Sequence, residues 1–275
     1  MRNGVLCLLI LIALSPSCKK TYLDKPAETL PAHQPFMILK GISTNVGSNV
    51  GGYFAGLPDA YSSDSKRYPL LLYIHGGGQF GNGEVDLPNL LSEGIPALLD
   101  TKKFPAAITS QGHVYSFVVL APQFRIYPTN NDIQAFLDYA RSNYRIDSSR
   151  IYVTGFSIGG RITCDFAGEK AAILAAIVPI AGASTESLDD KCRNIVDHHL
   201  PAWAFHNQQD ELISVYETKN FITTLNNLKP VLPAKLTIFE ESSALLKHDA
   251  WTRATDPAYR ENGMNIYEWM LQFKR

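Results

Sequence analysis

The segment Ile151-Tyr-Val-Thr-Gly-Phe-Ser-Ile-Gly-Gly160 constrains this chain more than any other. One glycine sits two residues before Ser157 and another two after it. Ile151 to Val153 read as a buried strand, and Arg161 to Ala167 as the start of a helix. A serine at such a junction must reverse the chain sharply, in a backbone conformation that crowds its neighbours two positions away. Gly155 and Gly159 remove the side chains that would clash there, and Gly160 lets the helix approach the strand. By itself the pattern arises by chance in roughly one chain in ten of this length. The strand before it and the helix after it are what give it weight, and they make the Ser157 hydroxyl a candidate nucleophile.

Around this junction short apolar runs alternate with amphipathic stretches. Phe36 to Tyr61, rich in glycine, reads as one or two antiparallel strands. Pro69–His75, Ser116–Ala121, Ile173–Ile180, Pro201–Phe205 and Lys235–Phe239 read as further strands. Leu87–Asp100, Asp132–Asn143, Tyr216–Leu228 and Ile266–Phe273 read as helices, with Ile133, Phe136, Leu137 and Ala140 on one face of the second. Strands separated by helices predict an α/β fold with a mostly parallel sheet covered on both faces. The span from Gly182 to Leu200 leaves little room for an inserted lid. With 45% hydrophobic and 19% charged residues the chain has material for a substantial core. A net charge of −1 and the lack of any Lys/Arg-rich segment argue against a nucleic-acid partner.

The N-terminus has a different character. Arg2 precedes an apolar run, Val5 to Leu14, that is too short to span a bilayer, and Ser15-Pro-Ser-Cys18 follows. Residues 1–17 resemble a bacterial lipoprotein signal with Cys18 as the lipidated residue, although Pro16 stands where a small residue is usual. An ordinary secretory signal is the alternative. Residues 18–35, polar with Pro26, Pro31 and Pro35, read as a tether, and residues 36–275 as a single catalytic domain. The expectation is an exported protein held at a membrane by its lipid anchor. In an oxidising compartment Cys164, on the helix after Ser157, and Cys192, in a loop before a later strand, are candidates for a disulfide. Burial of Cys164 as a small hydrophobe is the competing reading.

A serine hydroxyl becomes a useful nucleophile when a base takes its proton, and the base is most often a histidine oriented by a carboxylate. Two segments downstream supply such groups. Pro201-Ala-Trp-Ala-Phe-His-Asn-Gln-Gln-Asp210 is a strand followed by an acid in a polar turn, and His248-Asp-Ala-Trp251 lies in the loop after the next strand. Both loops are expected at the sheet edge that carries Ser157, and the order Ser157, Asp210, His248 matches that of α/β-hydrolases. Each residue also has a plain reading. Ser157 fits a tight turn, Asp210 fits a helix N-cap with Glu211 as its rival acid, and His248 fits an exposed loop. His206, His198 and His199 are rival bases, and Asp249 is too close in sequence to His248 to orient its ring. Tyr73-Ile-His-Gly-Gly-Gly-Gln79 ends a strand with exposed N–H groups and resembles the His-Gly-Gly-Gly oxyanion segment of esterases. On that likeness Gly77, with Gly78 as the near alternative, supplies one oxyanion donor and Ile158 the second. The segment lacks the Gly-Lys-Ser/Thr ending of a phosphate-binding loop.

Together His75-Gly-Gly-Gly, Gly155-Phe-Ser-Ile-Gly-Gly160, Trp203-Ala-Phe-His-Asn-Gln-Gln-Asp210 and His248-Asp-Ala-Trp251 resemble α/β-hydrolase serine esterases. The likeness is to the phospholipase/carboxylesterase and polyhydroxybutyrate-depolymerase-like branch that includes feruloyl and acetyl-xylan esterases, and it runs from about Tyr68 to the C-terminus. That branch usually has His-Gly where this chain has His206-Asn207. The resemblance implies an α/β-hydrolase fold without a large lid and hydrolysis of carboxylic esters through an acyl-enzyme on Ser157. It implies no metal and no organic cofactor. It also suggests a polysaccharide-linked acyl ester as substrate; Trp251, Phe80 and Phe124 are candidates to stack on a ring, with burial in the core as the competing reading for each and the favoured one for Phe124. A prolyl-oligopeptidase-type peptidase and a non-catalytic surface glycan-binding lipoprotein are the competing functions.

Overall fold

The computed structural model describes residue 1, residues 34–240 and residues 247–275. The expected leader, the lipidation candidate Cys18 and most of the expected tether lie outside the described residues. Pro35 to Arg275 form one compact unit.

Strands β1 (Met37–Val46) and β2 (Val50–Pro58) open the unit as an antiparallel hairpin. Then come β3 (Tyr68–Ile74), helix α1 (Gly94–Asp100), a small hairpin of β4 (Ile108–Ser110) and β5 (His113–Tyr115), and β6 (Val118–Phe124). Helix α2 (Asn130–Asn143), β7 (Ile146–Phe156), α3 (Ile158–Lys170) and β8 (Ala176–Ile180) follow. The last part holds α4 (Leu188–Asp197), β9 (Trp203–Asn207), α5 (Val215–Asn227), β10 (Lys235–Phe239), α6 (Trp251–Ala254) and α7 (Ile266–Met270). Eight strands form one sheet in the order β1-β2-β6-β3-β7-β8-β9-β10. From β6 to β10 every pairing is parallel, and β2 joins β6 antiparallel. This is the mostly parallel α/β sheet that the alternating pattern predicts, in the α/β-hydrolase arrangement that the resemblance implies.

Both faces of the sheet are apolar, and the strand period of two divides them. Leu70, Leu72, Ile151 and Val153 pack with Ile133, Phe136, Ile162, Phe166 and Phe221, so α2, α3 and α5 cover one face. Leu71, Tyr73, Tyr152 and Phe156 face the other way, against Ile95, Leu99, Trp251 and the α7 residues. All four residues named for the apolar face of α2 are buried.

Three expectations need correction. The stretch Leu87–Asp100 is not one helix but a 3-10 segment, Leu87–Ser92, and then α1. The break is at Gly94, whose φ is +63° and where a Cβ would come within 2.1 Å of the Tyr73 hydroxyl. The span after Gly182 holds α4, which places Cys192 in a helix instead of a loop. Cys164 and Cys192 are both buried free thiols, so the disulfide is not formed. Burial pushes the Cys192 thiol up to about 12 and the Cys164 thiol higher still, as expected of small packing groups.

Candidate active site

Ser157 is the single residue between β7 and α3, and it has φ 56° and ψ −121°. The steric argument for its neighbours holds atom by atom. A Cβ on Gly155 would lie 2.6 Å from both the Gly159 and the Ile74 carbonyl oxygens, and one on Gly159 would lie 2.2 Å from the Ile74 oxygen. On Gly160 a Cβ would come within 2.6 Å of the Ile180 oxygen. The strained serine is held by its own N–H, which donates to the Ile180 carbonyl at 2.8 Å. The turn therefore lifts Oγ above the C-terminal ends of the parallel strands.

Two further loops arrive at the same edge, after β9 and after β10. His248 Nε2 lies 2.8 Å from Ser157 Oγ, and His248 Nδ1 lies 2.6 Å from Asp210 Oδ2. A carboxylate oxygen can only accept at neutral pH, so Nδ1 carries the proton and Nε2 is left to accept from the serine. Trp251 packs edge-on against the His248 ring at 5.2 Å and lies against Phe156 at 4.1 Å. Trp251 and Phe124 are both buried, which settles for both the core reading, the one favoured for Phe124, over a stacking platform. Phe80 is half-buried, against the ring of His75.

The Asp210 side chain is buried, yet each of its oxygens is fully engaged. Oδ1 accepts the N–H groups of Leu212 at 2.9 Å and Ile213 at 3.0 Å, and Oδ2 is shared by His248 and by His206 Nε2 at 3.0 Å. Burial alone would raise this carboxyl. Hydrogen bonds from His206, His248, Ile213 and Leu212 outweigh burial and hold it well below the usual carboxylate range. Its rival Glu211 is exposed, and Asp249 instead accepts from the Thr252 N–H at the start of α6.

His206, considered as a rival base, is thus behind the acid and away from the serine. Its Nε2 faces two acceptors, Asp210 Oδ2 and the Ile213 carbonyl at 3.1 Å, so it is the protonated nitrogen. Its Nδ1 lies 2.7 Å from Thr218 Oγ1. The sequence signal for this role was the spacing of four residues between His206 and Asp210, which lets a residue at a strand end reach back to an acid in the next turn. Asn207, the departure from His-Gly, has its own task, because its amide donates to the Lys247 carbonyl at 2.7 Å, one residue before His248. His198 is half-buried and bonds to the carbonyl of Asn194, at the end of α4.

The segment after β3 is stitched to its surroundings. His75 Nδ1 donates to the Gly76 carbonyl at 2.8 Å, and Nε2 accepts the Phe124 N–H at 3.1 Å. Burial pushes His75 down to about 4, so it stays neutral. Gln79 donates to the Asn89 carbonyl and to Ser92 Oγ, both at 3.1 Å. A Cβ on Gly77 would lie 2.6 Å from Ile158 Cδ1, so the segment passes directly over the start of α3. Ile158 is the first residue of that helix, where a backbone N–H has no intrahelical partner. Among the described residues no group of three or more His, Cys, Asp or Glu side chains is arranged to hold a metal, and no helix is long and apolar enough to cross a membrane.

The chain is similar to known proteins in sequence and in fold. The model of the Dienelactone hydrolase family matches residues 109–253, more than half of the chain and the part that contains Ser157, Asp210 and His248. A bifunctional acetylxylan esterase/xylanase of Neocallimastix patriciarum is 25% identical over 172 residues, covering 59% of this chain and only 22% of that relative. The crystal structure of a thermostable esterase superposes with a TM-score of 0.58 at 21% identity, covering 87% of this chain and 63% of the other. A ferulic acid esterase superposes with a TM-score of 0.53 at 14% identity, covering 76% and 91% respectively. At such identities the two structures establish a common fold.

Proposed function

Because the chain belongs to the dienelactone hydrolase family, whose name describes opening of a cyclic carboxylic ester, we propose that it is a serine esterase acting through an acyl-enzyme on Ser157. The observation that carries this reading is the continuous contact from Ser157 Oγ to His248 Nε2 at 2.8 Å and from His248 Nδ1 to Asp210 Oδ2 at 2.6 Å. Ser157 Oγ attacks the ester carbonyl carbon while His248 Nε2 takes its proton. The charge that develops on the carbonyl oxygen is held by the N–H groups of Gly77 and Ile158. Collapse of the tetrahedral intermediate breaks the bond to the alcohol, which leaves with the proton from His248. Water then gives a proton to His248 and attacks the acyl carbon; collapse breaks the bond to Ser157 Oγ, which takes that proton back from His248, and frees the acid. Asp210 keeps the proton of His248 on Nδ1 throughout, and no step calls for a cofactor.

The acetylxylan esterase relative and the motif likeness support an acyl ester on a carbohydrate as the substrate class. The pattern of Arg2, Val5–Leu14 and Cys18 supports export with a lipid on Cys18. Loss of palmitate incorporation in Cys18→Ala tests that reading.

A fluorophosphonate probe tests the nucleophile. The expected result is one labelled peptide containing Ser157, with labelling and hydrolysis of 4-nitrophenyl acetate both lost in Ser157→Ala. An unlabelled parent protein, or full hydrolysis by Ser157→Ala, refutes the proposal. Turnover of aryl esters against proline-containing amides then separates an esterase from a peptidase.

A further inference from the structure

One cleft outside the hydrolytic centre is lined only by side chains that carry a polar group. It encloses about 310 Å³ between Tyr127, Arg161, Asp165, Ser184, Thr185 and Glu186. Both of its walls begin at residues that touch the elbow. Arg161 N–H donates to the Ser157 carbonyl at 3.1 Å, and a Cβ on Gly182, two residues before Ser184, would lie 2.3 Å from that same oxygen.

The floor of the cleft is prearranged. Arg161 Nη2 pairs with Glu217 Oε2 on α5 at 2.8 Å. Asp165 accepts from Ser184 Oγ at 2.6 Å and pairs with Lys191, which in turn donates to Ser184 Oγ at 2.9 Å. Above this floor Thr185, Glu186 and Tyr127 are exposed, Tyr127 to 46%. Burial, and then the charge of Asp165, pushes the Tyr127 phenol upward, so it stays protonated at neutral pH and its hydroxyl is able to donate.

Three features define what such a cleft accepts. The floor charges are paired, Arg161 with Glu217 and Asp165 with Lys191, and Glu186 adds a negative charge at the rim, which disfavours an anion. Every lining side chain carries a polar group, which makes the cleft a poor host for an alkyl chain, whose gain comes from burying apolar surface. Fixed donors and acceptors beside an exposed tyrosine suit a group bearing several hydroxyls. Of the two halves of an ester, that description fits a sugar alcohol and not a simple acyl chain.

We propose that this cleft is the subsite for the alcohol half of the substrate, a glycosyl unit, with Tyr127 and Glu186 as its outer contacts. The inference rests on the serine-esterase reading above and adds to it where the specificity lies. The experiment compares acetylated xylotetraose with 4-nitrophenyl acetate for the parent, Tyr127→Ala and Glu186→Ala. The expected result is a fall in kcat/KM on the sugar ester, carried by KM, that is about tenfold larger than any fall on the aryl ester. Equal falls on the two esters, or an unchanged value on the sugar ester, overturn the proposal. If the parent cleaves the aryl ester but not the sugar ester, the subsite proposal fails while the esterase stands. If it cleaves neither and Ser157 takes no fluorophosphonate, the esterase reading itself has failed. Should Tyr127→Ala not fold, Tyr127→Ser and Glu186→Gln give the same comparison. Titration of Ser157→Ala with xylotetraose provides a binding readout free of turnover, and loss of that binding in Ser157→Ala/Tyr127→Ala is expected.

Discussion

Replacing Asp210 by asparagine exchanges one carboxylate oxygen for an NH2 group, and the structure decides which one. The backbone N–H groups of Leu212 and Ile213, 2.9 and 3.0 Å from Oδ1, can only donate, so the amide oxygen must stay there. The NH2 group is forced into the Oδ2 position, 2.6 Å from His248 Nδ1 and 3.0 Å from His206 Nε2. His248 can receive that donor only by moving its proton to Nε2. There the proton faces Ser157 Oγ across 2.8 Å, and the base can no longer accept. A wrong-tautomer histidine lowers kcat by about 10⁴ in the established serine hydrolase case. At 1.36 kcal/mol per factor of ten this is roughly 5.5 kcal/mol of barrier. A second cost falls on stability. His206 Nε2, turned into an acceptor, would face the Ile213 carbonyl at 3.1 Å, and an unsatisfied buried pair of this kind costs about 1–3 kcal/mol. Steady-state hydrolysis of 4-nitrophenyl acetate gives kcat, and urea unfolding gives the stability term. A folded Asp210→Asn enzyme with kcat within about tenfold of the parent would refute the tautomer argument.

Other perturbations follow from the same geometry. Gly159→Ala drives a Cβ to 2.2 Å from the Ile74 oxygen and 2.7 Å from that of His75, both backbone atoms. The variant should lose more than about 3 kcal/mol of stability or fail to fold, and a parent-like thermal melt would contradict this. His206→Leu removes one of the donors to Asp210 and strands the Thr218 hydroxyl and the Ile213 carbonyl. It should cost about 1–3 kcal/mol in urea unfolding and lower kcat with little change in KM; an unchanged kcat would mean the acid needs no support from behind. The lowered pKa of Asp210 sets a pH dependence. Its folded-state value lies below the unfolded value of about 3.9, so its stabilisation is complete above about pH 4 and is lost as pH falls through the folded value. Unfolding free energy should therefore drop more steeply below about pH 4 in the parent than in Asp210→Asn, and equal slopes would exclude the linkage.

What could be read from the sequence was whatever is enforced between near neighbours. Gly155 and Gly159 are required because a serine at φ 56° brings backbone oxygens within contact of positions two residues away, so the elbow announced itself in five residues. The apolar runs of β3, β7 and β10, and the spacing of Ile133, Phe136, Leu137 and Ala140, likewise follow from the repeat of each element. Parallel strands alternating with helices put the ends of β7, β9 and β10 at one edge, and so the order Ser157, Asp210, His248 was legible too. Tertiary structure alone decided which groups meet across the chain. Nothing local shows that Gly94 must yield to the Tyr73 hydroxyl, or that Trp251 and Phe124 are core while Tyr127 stands exposed. Nor does a strand-end histidine reveal whether it points at the serine or at the acid. His206 supports Asp210 because α5 brings Thr218 to the far side of its ring, a long-range contact that leaves no periodic trace in the sequence.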